Sequence, residues 1–296
     1  MFLTQFETIL GLPDYIGYIF FFVIGAVIGS FLNVVIHRVP AEESIVFPNS
    51  ACPKCKAKIK GYDNIPILSW LILGGKCRNC KTGISARYPA VELLTALIFV
   101  LFFWRFDLTP ILPVYLIFAA AIVALIFIDA ENMILPNAIT YPGVIFSFAV
   151  RIIFPIFFSA EYFSDMKFAP LSGLTGWPVW AVSLLGAVLG ALAGGGVIWL
   201  IGKTWKLLRG VEGMGMGDAK LMFAVGALLG WRLTLVTFCI GVVSGAVIGV
   251  AILTAKREKD LQTQIPFGIF LGIGALVAAL WGEVLITWYI ANFIPR

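Results

Sequence analysis

The chain has 296 residues, of which 60% are hydrophobic and only 12% charged, with a mean hydropathy of +0.99 and a formal net charge of +5. Soluble domains are about half apolar and about one quarter charged, so this composition excludes an ordinary soluble protein and indicates an integral membrane protein. A nucleic-acid-binding protein needs a soluble basic face. The basic stretches here lie beside long apolar runs, so the expected partner is the lipid bilayer and not nucleic acid.

The amino-terminal segment lacks the basic region that begins a secretory signal peptide. Its first sixteen residues contain no Lys or Arg and include Glu7 and Asp14. We therefore expect the first apolar run to be a retained membrane helix.

Long apolar runs continue through the chain, and runs of about 20 apolar residues predict membrane-spanning helices. The predicted fold class is an all-α polytopic membrane protein with about eight transmembrane helices. The predicted spans are residues 17–37, 90–104, 111–128, 138–158, 179–201, 219–230, 233–254 and 267–293. The stretch at 65–75, IPILSWLILGG, is too short to span and is expected to pack inside a loop domain.

The distribution of basic residues predicts the orientation, because cytoplasmic loops are enriched in Lys and Arg. Of the 21 Lys and Arg residues, 16 fall in the loops at 38–89, 129–137, 202–220 and 255–266. These loops are therefore expected in the cytoplasm, with both chain termini outside. A re-entrant segment at 219–230 would place the basic sequence AKREKD on the other side, which favours eight spans.

Three domains are predicted from these boundaries. Residues 1–37 form an amino-terminal segment with the first membrane helix, residues 38–89 a cytoplasmic loop domain, and residues 90–296 a seven-helix membrane domain.

The cytoplasmic loop contains two C-x2-C motifs separated by 21 residues, formed by Cys52, Cys55, Cys77 and Cys80. Two such turns supply four thiolates to a tetrahedral site, which is typical of structural zinc. Two disulfides are the alternative, but a reducing cytoplasm disfavours them. The fifth cysteine, Cys239, lies in an apolar helix and is expected to be a small buried residue.

Two acidic residues, Asp129 and Asp218, lie at the ends of apolar runs and, in the predicted topology, at the same membrane face. Acidic residues in membrane segments are functional candidates. Asp218 follows glycines and suits a helix N-cap, while Asp129 is alternatively a solvated helix end. Together, two carboxylates that share one proton can activate water and polarise a carbonyl group, which is aspartic peptidase chemistry. Gly215 and Gly217 would let a substrate backbone approach.

An ordered set of motifs covers nearly the whole chain and resembles the type IV prepilin peptidases, membrane aspartic proteases of the GxGD group. The motifs are GSFLNVVIHRVP at 29–40, the C-x2-C pair, ARYPAVELLTA at 86–96, IDAENMILPN at 128–137, GMGMGDAKL at 213–221 and IPFGIFLGIG at 265–274.

The resemblance implies an enzyme of the bacterial inner membrane that removes the short basic leader of prepilins or pseudopilins at the cytoplasmic face. Asp129 and Asp218 become the catalytic pair, and the four cysteines become the metal site of the loop. The resemblance also implies N-methylation of the new amino terminus with S-adenosylmethionine, and the system served would be a type IV pilus, type II secretion or DNA uptake. Arg38, Arg87 and Glu92 are candidate cofactor ligands, with helix-end interactions as their alternative role.

Two other functions fit parts of the sequence. A proton-coupled transporter would use the same two aspartates as a relay, although no internal repeat is visible. A zinc-bearing assembly scaffold would use neither aspartate chemically. Glu283, deep in the last span, receives no role from the sequence.

Overall fold

The computed structural model describes residues 5–52, 54–168, 171–210, 215–256 and 266–293. Most of these residues form helices, and the described part of the chain contains isolated β-bridges but no strand. The predicted all-α fold is therefore confirmed. The chain termini and most of the basic loop at 255–266, on which part of the predicted orientation depends, lie outside the described residues.

The described α-helices are numbered in chain order. They are α1 Gln5–Leu10, α2 Asp14–Arg38, α3 Leu68–Ile72, α4 Arg87–Phe106, α5 Leu112–Asn132, α6 Asn137–Phe157, α7 Val179–Ala191, α8 Val197–Arg209, α9 Met216–Lys256 and α10 Phe267–Phe293. A single π-helical turn, Leu192–Gly196, joins α7 to α8. The chain divides within α5 into two compact units, residues 1–124 and 125–296. The domain boundaries near residues 37 and 89 stay predictions.

The first unit is organised by close packing of α2 against α4. Glycines on α2 face the α4 backbone, so that a Cβ added to Gly25 would lie 2.7 Å from the Ala96 Cα, and one added to Gly29 would lie 2.7 Å from the Glu92 Cα. Small residues at this four-residue spacing let membrane helices approach closely. The pair therefore forms an antiparallel support from which the four-cysteine loop emerges.

The short apolar stretch at 65–75 does not pack inside the loop, and that prediction is wrong. It contains the five-residue helix α3, whose Leu68, Leu71 and Ile72 side chains are exposed. The loop instead buries the hydroxyl-bearing Ser69. The physical reason is that polar groups of this segment hold the loop together, which turns the apolar side chains outward.

In the second unit, α9 is two helical segments that meet at Gly230. Gly230 has φ 81° and ψ 166°, a conformation open to glycine because it lacks a Cβ. A Cβ added to Gly194 would contact both the Met222 carbonyl group and the Thr234 side chain. These two residues would lie about 18 Å apart on a straight helix, so the chain reverses direction at Gly230.

This reversal bears on the number of spans. Of the described helical segments, seven are long and apolar enough to cross a membrane. One of them, Met216–Ala251, contains the span predicted at 219–230 and most of the span predicted at 233–254. The spanning character of the chain is confirmed, whereas the count of eight and the orientation stay predictions.

A buried charge cluster lies at the Gly230 bend. Arg151 and Asp165, both fully buried, form two hydrogen bonds of 2.9 and 2.5 Å. Gly186 and Gly230 make room for the pair, since a Cβ at either glycine would lie within 2.6 Å of Asp165 side-chain atoms. The ion pair thus joins the bend to α6 and α7.

Glu283 belongs to the same end of the unit. It accepts a hydrogen bond from the Ser164 hydroxyl group and lies 3.5 Å from the Arg232 guanidinium. Arg232 also stacks on the ring of Phe168. Glu283, which the sequence left without a role, therefore pairs a cation next to the bend.

Candidate active site

Asp129 lies in the last turn of α5 and is 5% exposed. Its Oδ2 atom accepts a hydrogen bond of 3.2 Å from the Ile269 amide in the first turn of α10. The first amides of a helix lack intrahelical partners and favour a nearby negative charge. Asp129 is therefore not a solvated helix end but a buried acid that caps another helix.

The contact between Asp129 and α10 depends on Gly268. A Cβ at this position would lie 2.7 Å from the Asp129 Oδ2 atom. Only a glycine lets the carboxylate approach the α10 backbone so closely. Gly268 and Ile269 both lie in the motif IPFGIFLGIG, but the motif alone predicts no role for them, because that role depends on which helix end contacts Asp129.

Asp218 lies in the first turn of α9, two residues after Met216, and its amide donates a hydrogen bond of 3.1 Å to the Gly215 carbonyl. It is thus inside the helix rather than at the N-cap position. A Cβ at Gly215 would lie 3.2 Å from the Asp218 Oδ2 atom. Within the described part of the chain, no group donates a hydrogen bond to this carboxylate, which leaves its oxygens free for other partners.

Leu135 packs between the first turn of α9, which carries Asp218, and the first turn of α10, which Asp129 contacts. A Cβ at Gly217 would lie 2.9 Å from the Leu135 Cβ, and one at Gly268 would lie 3.2 Å from the Leu135 Cδ1. Gly268 also adjoins the Asp129 carboxylate, and Gly217 directly precedes Asp218, so the same leucine lies next to both acid-bearing positions. The structure thus brings together the two acids that the sequence singled out.

Lys220 fixes the start of α9 against α6. Its Nζ atom donates a hydrogen bond of 2.7 Å to the Asn137 side chain and lies 4.8 Å from the centre of the Tyr141 ring. The first turn of α9, which carries Asp218, is therefore held from a second side.

The four cysteines of the loop also meet. Their sulfur atoms all lie within 4.8 Å of one another, with Cys52 and Cys80 3.8 Å apart and Cys55 and Cys77 4.0 Å apart. Four sulfurs at about 2.3 Å from a tetrahedral zinc ion lie about 3.8 Å from each other. The residues therefore fit a zinc ion, while both sulfur separations exceed the disulfide length of about 2.05 Å.

Each C-x2-C motif forms the same tight turn. The Cys52 and Cys77 carbonyls accept the amides of Lys56 and Lys81, which both have positive φ angles near 60°. Hydrogen bonding with the side chain and backbone of Thr82 lowers the pKa of Cys80 to about 6. A lowered pKa favours the thiolate, which is the metal-binding form.

Comparison of the sequence with known protein families finds two matching family models. The model of the bacterial peptidase A24 amino-terminal domain matches residues 23–106, and the model of the type IV leader peptidase family matches residues 116–250. The chain belongs to the type IV leader peptidase family. Membership confirms the resemblance predicted from the ordered motifs and, with it, an enzyme of the peptidase class.

Several members of the leader peptidase family match this chain over most of its length. A protein of Aeromonas hydrophila is 36% identical over 96% of this chain and 97% of its own, and one of Pseudomonas aeruginosa is 35% identical over 90% and 91%. A protein of Neisseria gonorrhoeae is 38% identical over 77% and 81%. All three are named prepilin leader peptidase/N-methyltransferase. No solved structure matches the chain.

The candidate cofactor ligands of this leader peptidase family member contact the chain itself. Arg38 donates hydrogen bonds of 2.9 and 2.6 Å to the carbonyls of Ser44 and Pro48, and the buried Glu92 accepts one of 2.7 Å from the Ile67 amide. Arg87 stacks on the ring of its neighbour Tyr88. These contacts are structural, and cofactor binding by the three residues stays a prediction.

The structure corrects the expectation for the fifth cysteine, because Cys239 is exposed on α9. It thereby supplies a control for the metal site. We expect Cys80→Ser to lose the zinc ion and Cys239→Ser to keep about one zinc per chain, since a structural site needs four ligands. Elemental analysis of the purified variants measures this. Zinc bound equally by the two variants, or a folded wild-type protein without zinc, would contradict the assignment.

Proposed function

We propose that this chain is a membrane-embedded aspartic endopeptidase that removes the leader of prepilins or pseudopilins with the pair Asp129 and Asp218. The observation that supports the proposal is that both acids, at the ends of α5 and α9, lie next to Leu135. The names of the relatives support prepilins as the substrate class, and the family resemblance supports a location in the bacterial inner membrane. The predicted orientation places the pair at its cytoplasmic face.

The chemistry follows from two neighbouring carboxyl groups that hold one proton between them. The ionised group takes a proton from a water molecule, whose oxygen then bonds to the scissile carbonyl carbon, while the protonated group donates to the carbonyl oxygen. When the tetrahedral intermediate collapses, the peptide C–N bond breaks and the leaving amine takes the proton gained from water. A hydroxyl group of the intermediate returns its proton to the other aspartate as the carboxyl product forms. Because the pair keeps one proton overall, it is ready for the next substrate.

The glycines before Asp218 have different positions relative to a substrate. Gly217 packs against Leu135, so the space that a side chain at position 217 would occupy is already filled by the protein itself. Gly215 is exposed and adjoins the Asp218 carboxylate. A substrate backbone would therefore approach the pair over Gly215.

Methylation with S-adenosylmethionine rests on the names of the relatives and on the resemblance. A cleft of about 300 Å³ lies beside Arg38, and its polar lining consists of Arg38, Asn49, Ser50 and Asn64. Among the described residues, no acidic side chain lines this cleft to pair with the cationic amine and sulfonium groups of the cofactor. These residues do not fit the cofactor, and no methyl-transfer step is derived from them.

The test is mass spectrometry of a prepilin co-expressed with this chain in cells that lack their own leader peptidase. We expect a pilin shortened by its leader, and heavier by one methyl group where methylation is retained. Full-length prepilin beside well-expressed, folded enzyme would contradict the proposal. A shortened pilin without a methyl group would contradict the proposed methyltransferase activity and leave the proposed peptidase activity standing.

A further inference from the structure

The four-cysteine loop exposes an apolar surface, formed by Leu68, Leu71 and Ile72 of α3. These side chains are 55%, 60% and 78% exposed. Contact of apolar surface with water costs about 25 cal/mol per Å², and clustered exposed apolar residues mark interaction sites. We name these three residues the α3 face.

The α3 face is turned outward by fixed contacts on its other side. The Ser69 hydroxyl accepts the Ile65 amide and donates to the Tyr62 carbonyl, each at 3.0 Å. The Trp70 indole N–H donates to the Ile84 carbonyl, also at 3.0 Å. The orientation of α3 is therefore built into the loop.

The backbone immediately before α3 is strained. Ile67 has φ 63° and ψ −53°, and the Leu68 amide donates a hydrogen bond of 2.6 Å to the Pro66 carbonyl. This is a γ-turn, which is rare for a β-branched residue, and such conformations cost about 1–3 kcal/mol. The Glu92 carboxylate binds the Ile67 amide and holds the turn in place.

The same hydrogen bond sets the depth of α3 along the membrane helices. Glu92 packs against Gly29, which precedes the end of α2 at Arg38 by nine residues, or about 13 Å of helix. Helical side chains lean toward the helix amino terminus, so Ile67 lies somewhat closer to the helix ends than Glu92 does. The segment leading into α3 is therefore level with the last turns of α2 and the first turns of α4.

The loop also continues the surface that α2 presents to lipid. Asn64 and Pro66 line one cleft together with Val27 and Phe31, both of which are exposed on a helix long and apolar enough to span the membrane. The α3 face thus begins where an exposed apolar surface of the spanning pair ends.

We propose that the α3 face inserts into the boundary between headgroups and acyl chains of the bilayer that α2 and α4 span, and so holds the four-cysteine loop against the membrane. The exposed apolar side chains of the α3 face suit interfacial binding, in which apolar side chains are buried at the boundary of headgroups and acyl chains. Trp70, with its indole bonded inside the loop, lies at the level where aromatic side chains are enriched. This inference does not depend on the peptidase activity.

The test places a diazirine-bearing amino acid at position 72, and separately at position 71, in the full-length protein in nanodiscs of phosphatidylethanolamine and phosphatidylglycerol. The control places it at Lys58, which is exposed on the same loop. After irradiation, we expect lipid adducts by mass spectrometry at positions 71 and 72 and none above background at position 58. Retained zinc, measured by elemental analysis, shows that the loop is folded.

Three outcomes would overturn the proposal. They are the absence of lipid adducts at both α3 positions, equal adducts at position 58, and adducts with protein in place of lipid. Protein adducts would instead identify the α3 face as a docking site for a pilin or for a second copy of this chain.

Discussion

Asp129→Asn and Asp218→Asn are each expected to lower the rate of prepilin cleavage by on the order of 10²–10⁴-fold, the usual contribution of general acid–base catalysis. The amide that replaces the carboxyl group keeps its size but can neither accept the proton of water nor supply one to the carbonyl. At position 129 the amide oxygen can still accept the Ile269 hydrogen bond. The fold should therefore survive, and single-turnover cleavage by purified protein measures the loss.

The matched control is Glu131→Gln, which makes the same chemical change at an exposed residue of the same helix end. We expect this variant to cleave at the wild-type rate. The double Asp variant should be no slower than either single variant, because the two groups act as a unit. Wild-type cleavage by either single Asp variant would refute the assigned pair.

Arg151→Met and Asp165→Asn are each expected to destabilise the protein by about 3–5 kcal/mol, because each leaves the other buried group without its partner. Both side chains are fully buried, and Arg151 also donates to the Ser183 carbonyl at 3.2 Å. The double variant Arg151→Met with Asp165→Asn should be less destabilised than the sum of the single changes, since it removes both charges. Thermal unfolding in detergent measures the three variants.

The control for the buried pair is the exposed pair of Arg78 and Asp63, in which the Arg78 side chain is 53% exposed and its Nη2 atom lies 2.6 Å from Asp63. Solvent screens exposed pairs, so Arg78→Met should leave the unfolding temperature nearly unchanged. If Arg78→Met and Arg151→Met lowered the unfolding temperature equally, burial of the Arg151–Asp165 pair would not be the source of its contribution to stability.

The helices were largely predictable, because hydropathy depends only on local sequence. The last span was predicted at 267–293 and α10 is Phe267–Phe293. The reversal at Gly230 was predicted only indirectly, from the basic residues that follow it. Its partners Asp165, Gly186 and Arg151 are distant in sequence and meet only through tertiary packing.

The acid pair was predictable for a similar reason, since both acids stand at the ends of apolar runs. The role of Gly268 and Ile269 was not, because no local pattern tells which helix start will face Asp129. For the α3 face, the prediction from the sequence was wrong. An apolar run suggested burial, whereas the hydrogen bonds of Ser69, Trp70 and Glu92 turn the run outward.

The pH dependence of the single-turnover cleavage rate tests the acid pair most directly. The account predicts a bell-shaped profile: at low pH both carboxyl groups are protonated and no base remains, and at high pH both are ionised and no acid remains. Unfolding temperatures recorded over the same range exclude loss of the fold. A rate that rises with pH to a plateau, while the protein stays folded, would show a single base at work and would contradict the shared-proton pair of Asp129 and Asp218.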